Sequence, residues 1–235
     1  MRKLTGEKLE AELARLEGMR AYEHQYESAG IVCGIDEAGR GPLAGPVVAA
    51  VAVLPKDCTI LRLNDSKKLS EKCREELFLE IKEKAAAYGI GIVSPEVIDS
   101  INILQATLKA MCHAASVLKV RPKGLLIDGN QTIPEPLFRQ RAACWLSSPR
   151  QKSIVDGDAL VPVISAASII AKTFRDMLMD KLDHRYPGYG FAKHKGYGSK
   201  EHFAALRELG PCPMHRKTFR GVLPERQTAR QGSLL

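Results

Sequence analysis

A chain of 235 residues with 45% hydrophobic and 26% charged content suits one sizeable α/β domain with room for a small appendage. Its formal net charge of +8 points towards polyanionic partners. No apolar run approaches the length of a bilayer span, which excludes a membrane-spanning helix.

Residues 5–27 carry Leu9, Leu13, Leu16, Met19 and Tyr22 at helical spacing, so an amphipathic helix is predicted. The residues before it lack the apolar core of a secretory leader, and a cytoplasmic location is expected. Gly30 ends this helix. Residues 31–36 read as a buried strand, and residues 47–54 as a second one that stops at Pro55. Residues 70–84 read as a helix with Ser70 at the N-cap and Glu71 and Glu75 in its early turns. A short strand is predicted over 88–93. Residues 95–120 are expected to be mostly helical, with Leu104, Leu108 and Met111 on an apolar face. Residues 124–128 form a compact strand, 131–150 read as irregular, and a short strand is expected at 153–155. A long Ala- and Ile-rich helix spans 163–182, followed by short helices near 199–209 and 213–220. Strands followed by helices predict a layered α/β fold. Six cysteines (33, 58, 73, 112, 144, 212) include no C-x-x-C pair and read as reduced core residues.

The densest signal is Gly34-Ile-Asp-Glu-Ala-Gly-Arg-Gly-Pro-Leu-Ala-Gly45. Asp36 and Glu37 follow an apolar run, where buried acid is costly unless a cation neutralises it. The glycines around Arg40 are expected to let backbone approach a ligand closely. Gly39, Gly41 and Gly45 do not make a dinucleotide fingerprint, because position 44 is Ala; no Gly-Lys-Ser/Thr follows, so a P-loop is excluded. Asp128 repeats the pattern in Leu125-Leu-Ile-Asp128, and Asp158 ends Val155-Asp-Gly-Asp158. Acids delivered at the ends of neighbouring strands suit Mg²⁺ or Mn²⁺, since hard cations take oxygen ligands and keep waters for substrate phosphates. No histidine-based zinc spacing competes, and His194 reads as a surface or phosphate contact. From residue 181 onward the chain holds 11 Lys/Arg against 4 Asp/Glu, interleaved with Tyr186, Tyr189, Phe191, Tyr197 and Phe203. That pattern favours a nucleic-acid surface over plain solubility. From spacing alone, a metal-dependent nuclease and a structural set of turn and cap aspartates both stay open.

The first signature resembles that of type 2 ribonucleases H, the ribonuclease HII family. Further segments match in order: Asn64-Asp-Ser-Lys-Lys-Leu-Ser70, Asn102-Ile-Leu-Gln-Ala-Thr107, Leu126-Ile-Asp-Gly-Asn130, Val163-Ile-Ser-Ala-Ala-Ser-Ile-Ile-Ala-Lys172, Gly190-Phe-Ala-Lys-His-Lys-Gly-Tyr197 and His215-Arg-Lys-Thr-Phe219. The resemblance covers about residues 28–222. It implies a ribonuclease H-like α/β fold, a central mixed sheet flanked by helices, with a small helical C-terminal subdomain. It also implies a helical extension over 1–28, a catalytic core over 29–185, a basic cap over 186–223 and a flexible tail over 224–235. Asp36, Glu37, Asp128 and Asp158 become the four active-site acids that hold two Mg²⁺ or Mn²⁺ ions. Asp36 bridges both, and Asp158 holds the second. Asp176 reads instead as a salt-bridging helix residue. Gly39, Arg40 and Gly41 sense a ribonucleotide 2′-hydroxyl, the group that distinguishes RNA from DNA. Tyr197 packs on the sugar after the scissile junction. Ser66, Lys67, Ser165, Lys172 and Lys195 contact the phosphate backbone.

The implied activity is endonucleolytic hydrolysis of RNA in RNA–DNA hybrids and at single ribonucleotides in duplex DNA, leaving 5′-phosphate and 3′-hydroxyl ends. The rivals are a ribonuclease HIII-like enzyme and a non-catalytic nucleic-acid-binding protein. The chain departs from the family pattern at Asp156, where Lys is usual. The connection from 130 to 158 is long, with Pro134, Pro136, Arg139, Arg141 and Arg150 inside it. Gln231 to Leu235 is a candidate peptide for a weak protein partner. A monomer is the default expectation.

Overall fold

In the computed structural model, which describes residues 4–27, 30–140 and 150–223, apolar segments assemble a five-stranded mixed sheet. The strands are β1 (Val32–Ala38), β2 (Val47–Val53), β3 (Ala87–Val93), β4 (Gly124–Asp128) and β5 (Arg150–Ile154), in the order β3-β2-β1-β4-β5. β2 is antiparallel to both β1 and β3, whereas β1, β4 and β5 run parallel. The tail peptide at 231–235, Arg141 and Cys144 lie outside the described residues.

β2 is buried along its whole length, and its alternation divides the core. Val47, Ala49, Val51 and Val53 face one layer, with Cys33 and Ile35 of β1. That layer is covered by α4 (Pro95–Ile101) and α5 (Ile103–Ser116). Ala50 and Ala52 face the other layer, against Ala166, Ala167, Ile169, Ile170 and Ala171 of a second helix. The small residues of β2 on that side let a helix lie close. A β-carbon on Gly34 of β1 would stand 2.2 Å from the backbone carbon of Val163, so this helix and β1 touch backbone to backbone.

The expected N-terminal helix is two, α1 (Glu7–Met19) and α2 (Ala21–Glu27). The junction residue Arg20 turns its guanidinium onto the carbonyls of Lys56 and Cys58. α3 (Glu71–Lys84) starts as expected, with Ser70 Oγ accepting the Cys73 N–H at 3.3 Å. The mostly helical segment expected over 95–120 is two helices, divided at Asn102, whose φ of 68° leaves helical space while its side chain caps α5 by accepting the Gln105 N–H. Leu104 is consequently exposed rather than on the buried face. Within 131–150, expected to be irregular, α6 (Glu135–Gln140) forms, followed after β5 by a single turn, α7 (Gly157–Leu160).

The long helix α8 runs over Pro162–Arg185, and α9 (Phe191–His194) and α10 (Lys200–Leu209) follow. The helix expected over 213–220 does not form. Its backbone groups are engaged elsewhere: the Arg216 N–H donates to the Leu43 carbonyl, and the Lys217 and Thr218 N–H groups donate to the Asp99 carboxylate. Cys33, Cys58, Cys73, Cys112 and Cys212 carry thiols rather than disulfides. Among the described residues no helix is long and apolar enough to cross a membrane.

Gly34→Ala forces β1 and α8 apart. It should destabilise the protein by about 3 kcal/mol, the upper range for overpacking, and lower the melting temperature by roughly 6–12 °C. Thermal unfolding checks this, and an unchanged midpoint would show that the two backbones are not in contact.

Candidate active site

β1 and β4 pair in parallel through Ile35 opposite Ile127, and the next residue of each strand is an acid, Asp36 and Asp128. The expectation that β1 ends at Asp36 is corrected, because pairing with β2 continues through Glu37 and Ala38. Alternation turns Asp36 towards α8, the side of Gly34, and it is 5% exposed. Asp158 sits in α7, its backbone N–H donating to Asp128 Oδ1 at 3.2 Å. The four acids therefore come from two adjacent strands and the turn that follows a third.

They destabilise one another's charges. Burial, then the charges of Glu37 and Asp128, push the Asp36 carboxyl well above the usual range, while the Ser168 hydroxyl and the Glu37 N–H pull the other way. Glu37 is raised by burial and by Asp128, against the attraction of Arg40. Asp128 is raised mainly by burial. Asp158 is pushed up to about 6 by burial and by Asp128. The nearby cations leave this excess negative charge only partly balanced: Arg40 approaches Glu37 at 3.3 Å and Lys67 approaches Asp158 at 4.0 Å. Among the described residues, no group of three or more His, Cys, Asp or Glu is arranged to hold a metal ion. An all-oxygen set that leaves positions for water and for substrate oxygens fits a hard divalent cation better than a closed cage.

A cleft of about 250 Å³ opens over Asp36 and Glu37, lined also by Gly39, Arg40, Gly41, Ser66, Lys67, Ser168, Lys172, Arg175 and Tyr197; Asp128 and Asp158 stand outside its lining. Larger cavities of about 570 and 430 Å³ lie beside the N-terminal helices, but neither contains the clustered acids. The Lys172 ammonium at the cleft is paired with Asp176 at 2.7 Å, and Arg74 meets the other Asp176 oxygen at 3.5 Å. Asp176 is thus the salt-bridging helix residue expected. Ser165 is fully buried, donating to the carbonyls of Asp158 and Val161. It braces the Asp158 turn and does not line the cleft. The Lys195 ammonium is paired with Asp180. Asp156 adopts a left-handed conformation with φ 54° that starts α7, a geometry Asp tolerates better than most residues.

The glycine loop departs from its expected use. A β-carbon at Gly39 would meet Arg175 Nε at 1.9 Å, and one at Gly45 would meet Met179 Sδ at 2.4 Å. At these two positions the missing side chains make room for the protein's own residues rather than for a ligand. Gly41 differs, because it faces the Tyr197 ring, 3.6 Å from where a β-carbon would lie. Arg175 and Arg216, both buried, hold the loop. Arg175 donates to the carbonyls of Ala44, Pro46 and Lys195. Arg216 donates to those of Gly39, Arg40 and Gly45. Burial lowers their pKa values, to about 10 for Arg175 and about 9 for Arg216, so both stay cationic at neutral pH. The residues drawn from spacing and resemblance omitted Ser168, Arg175 and Arg216. Their signal was their position inside the matching segments and along α8. His194 is not a surface contact: its ring nitrogens engage the Tyr189 carbonyl and the Gly196 N–H.

The family model that matches the chain is Ribonuclease HII, over residues 33–222. Ribonuclease HII of Nitratidesulfovibrio vulgaris is 56% identical over 194 residues, covering 83% of this chain and 88% of that one. The solved ribonuclease H2 of Pyrococcus horikoshii superposes with a TM-score of 0.64 at 28% identity, covering 82% of this chain and 95% of that one. The ribonuclease HII in the PCNA:RNase HII complex of Archaeoglobus fulgidus gives a TM-score of 0.62 at 27% identity, covering 84% and 98% respectively.

Ionised acids whose folded pKa lies above the unfolded value weaken the fold at neutral pH. Without metal, the stability contributed by these acids should therefore rise as pH falls from 7 through about 6, where Asp158 takes up its proton, towards the unfolded value near 4, against the opposite trend of the buried neutral His202 and His215. Asp36→Asn should raise the metal-free melting temperature at pH 7 and flatten this pH dependence. Melting curves in chelator across that range check it, and a variant less stable than wild type at pH 7 would refute the repulsion.

Proposed function

The chain belongs to the ribonuclease HII family and is an endonuclease of RNA–DNA hybrids; we propose that its action extends to single ribonucleotides within duplex DNA, by two-metal-ion hydrolysis that leaves 5′-phosphate and 3′-hydroxyl ends. One observation carries this reading. Asp36 and Asp128 follow the last paired residues of adjacent parallel strands, and Asp128 raises the proton affinity of Asp36, Glu37 and Asp158. Such a set is poised for divalent cations, and we assign Asp36, Glu37, Asp128 and Asp158 to hold Mg²⁺ or Mn²⁺. When bound, the ions supply an activated water and a stabilised leaving oxygen.

The protein's own residues do the rest by positioning. Lys67 stands beside Asp158 with its ammonium largely exposed, suited to a substrate phosphate. Lys172 lies at the cleft, tethered to Asp176. Arg40, exposed at the cleft rim and tied to Glu37, presents its guanidinium and the flanking Gly39 and Gly41 backbone to the minor groove, where a 2′-hydroxyl is exposed. Tyr197, half-exposed and facing Gly41, packs on the following sugar and favours a deoxyribose there. Ser66 shares a hydrogen bond with Ser168 at 2.9 Å and orders the loop that carries Lys67.

We assign residues 29–185 to the catalytic core and 186–223 to a basic cap that follows the duplex. We assign the enzyme to the cytoplasm, as a monomer. The A. fulgidus relative was solved with PCNA, and we propose a weaker protein contact for residues 224–235.

Asp36→Asn or Asp128→Asn should lower cleavage of a duplex with one ribonucleotide at least about 10³-fold, as expected when a charge-stabilising group is lost, while circular dichroism stays native. Retained activity in either variant would sink the two-ion assignment. Arg40→Ala and Tyr197→Ala should lose more kcat/KM on single-ribonucleotide substrates than on continuous hybrids, with the metal requirement unchanged. An equal loss on both substrates would refute their junction role.

A further inference from the structure

Tyr197 lies between Gly196, at φ 84°, and Gly198. A half-exposed ring flanked by glycines needs its backbone tethered if it is to meet a sugar in one place. The Ser199 N–H, 2.8 Å from the Tyr197 carbonyl, supplies one tether, and a histidine cluster supplies the rest. His194, His202 and His215 cluster beside the Tyr197 backbone, with the rings of His194 and His202 stacked at 4.4 Å and those of His202 and His215 tilted against each other at 5.2 Å. His202 and His215 are essentially unexposed.

The hydrogen-bond partners determine where each proton resides. His202 Nδ1 lies 2.9 Å from the Tyr197 carbonyl, which can only accept, so Nδ1 carries the proton. Burial keeps His202 neutral by lowering its pKa, and its Nε2 is therefore an acceptor. The His215 Nε2, at 3.0 Å, must then be the donor. His215, pushed down to about 4 by burial and by His202, is left with a bare Nδ1, which accepts the Cys212 N–H at 3.0 Å. His194 follows the same logic: its Nε2 donates to the Tyr189 carbonyl at 2.8 Å, and its Nδ1 accepts the Gly196 N–H at 3.2 Å. The Tyr197 N–H donates to the His194 carbonyl at 2.9 Å. The Cys212 carbonyl also lies 3.3 Å from His215 Nδ1, but a neutral ring that donates from Nε2 to His202 keeps Nδ1 as an acceptor, so the chain runs from the Cys212 amide to the Tyr197 carbonyl.

We propose that His202, its tautomer set by His215, is a positioning residue that fixes Tyr197 for recognition of the ribonucleotide junction. This rests on the assignment of Tyr197 to the sugar after that junction. His202 and His215 touch no substrate; they act through the Tyr197 main chain. The next residue, Arg216, grips the Gly39 and Arg40 carbonyls, so one short segment serves both halves of the recognition surface.

Long-range ¹H–¹⁵N correlation spectra of histidine-labelled full-length protein at pH 7 should show His202 as the Nδ1–H tautomer and His194 and His215 as Nε2–H tautomers. His202 in the Nε2–H form overturns the proposal, whatever the variants do. An Asn amide nitrogen can occupy the place of Nδ1, whereas that of Gln lies nearer Nε2. His202→Gln should therefore lower the ratio of kcat/KM for a single-ribonucleotide duplex over a continuous hybrid about five- to tenfold, the worth of one hydrogen bond, and His202→Asn should stay within about twofold of wild type. Equal ratios for wild type and a folded His202→Gln overturn the proposal when Tyr197→Ala does lower the ratio. If Tyr197→Ala leaves the ratio intact, the assignment of Tyr197 itself fails, and the positioning role falls with it.

Discussion

The closeness of α8 to β1 is the constraint on which the remaining geometry depends. Gly34 removes a side chain that would keep the two backbones apart, and Ala50 and Ala52 continue that flat surface onto β2. With α8 pressed this near, Ser165, Ser168, Lys172, Arg175 and Met179 follow at alternating steps of three and four residues, the spacing of one helix face. Each lines the cleft or supports a segment beside it. Ser165 braces the Asp158 turn, Ser168 meets Ser66, Lys172 lines the opening, Arg175 supports the glycine loop, and Met179 fills the space under Gly45. A single rigid rod thus sets the relative positions of elements more than 100 residues apart in sequence.

Charge is segregated along that rod. The acids crowd at one end of the sheet without enough cations beside them, which raises their pKa values and prepares them for divalent ions. The two buried arginines take no carboxylate as a direct partner in their hydrogen bonds; they spend their donors on backbone carbonyls. Desolvating a guanidinium costs several kcal/mol, and charge-assisted bonds to several carbonyls offset it. The result is a loop around Gly39 and Arg40 that cannot relax independently of α8 and the 215–216 segment. A recognition element of this kind is organised before substrate arrives, which is what discrimination of one hydroxyl group requires.

The strand-ending acids were legible because acid after an apolar run is costly and therefore rare, and because six segments matched one family in order. Helix 70–84 was legible from Ser70, a cap whose effect is local. The roles of Gly39 and Gly45 were not, since the atoms that need their space, in Arg175 and Met179, lie more than 130 residues away. Neither was the break at Asn102, where a side-chain cap overrode an apolar pattern that continued past it. Residues 213–220 look helical only if their amides are free, and Leu43 and Asp99 claim them. The histidine chain escaped notice because spacings of 8 and 13 residues match no metal or catalytic motif. Its meaning lies in which ring nitrogens face carbonyls and which face amides.

The N-terminal helices join this system through the loop before Ser66. Arg62 is held at φ 67°, an uncommon conformation for a residue with a side chain, and costs of order 1–3 kcal/mol unless surrounding contacts over-determine it. Glu12 supplies that determination by accepting the Arg62 N–H at 2.6 Å, while Arg15 pairs with Glu12 and donates to the Leu63 carbonyl at 2.8 Å. Three residues later stand Ser66 and Lys67. At the other end, Glu23 accepts the Val163 N–H at 3.1 Å, supplying a cap to the first turn of α8, where Val161 provides none. Both attachments act on backbone groups immediately upstream of cleft residues. The extension therefore restrains the two segments that meet at the Ser66–Ser168 hydrogen bond, although none of its described side chains lines the cleft.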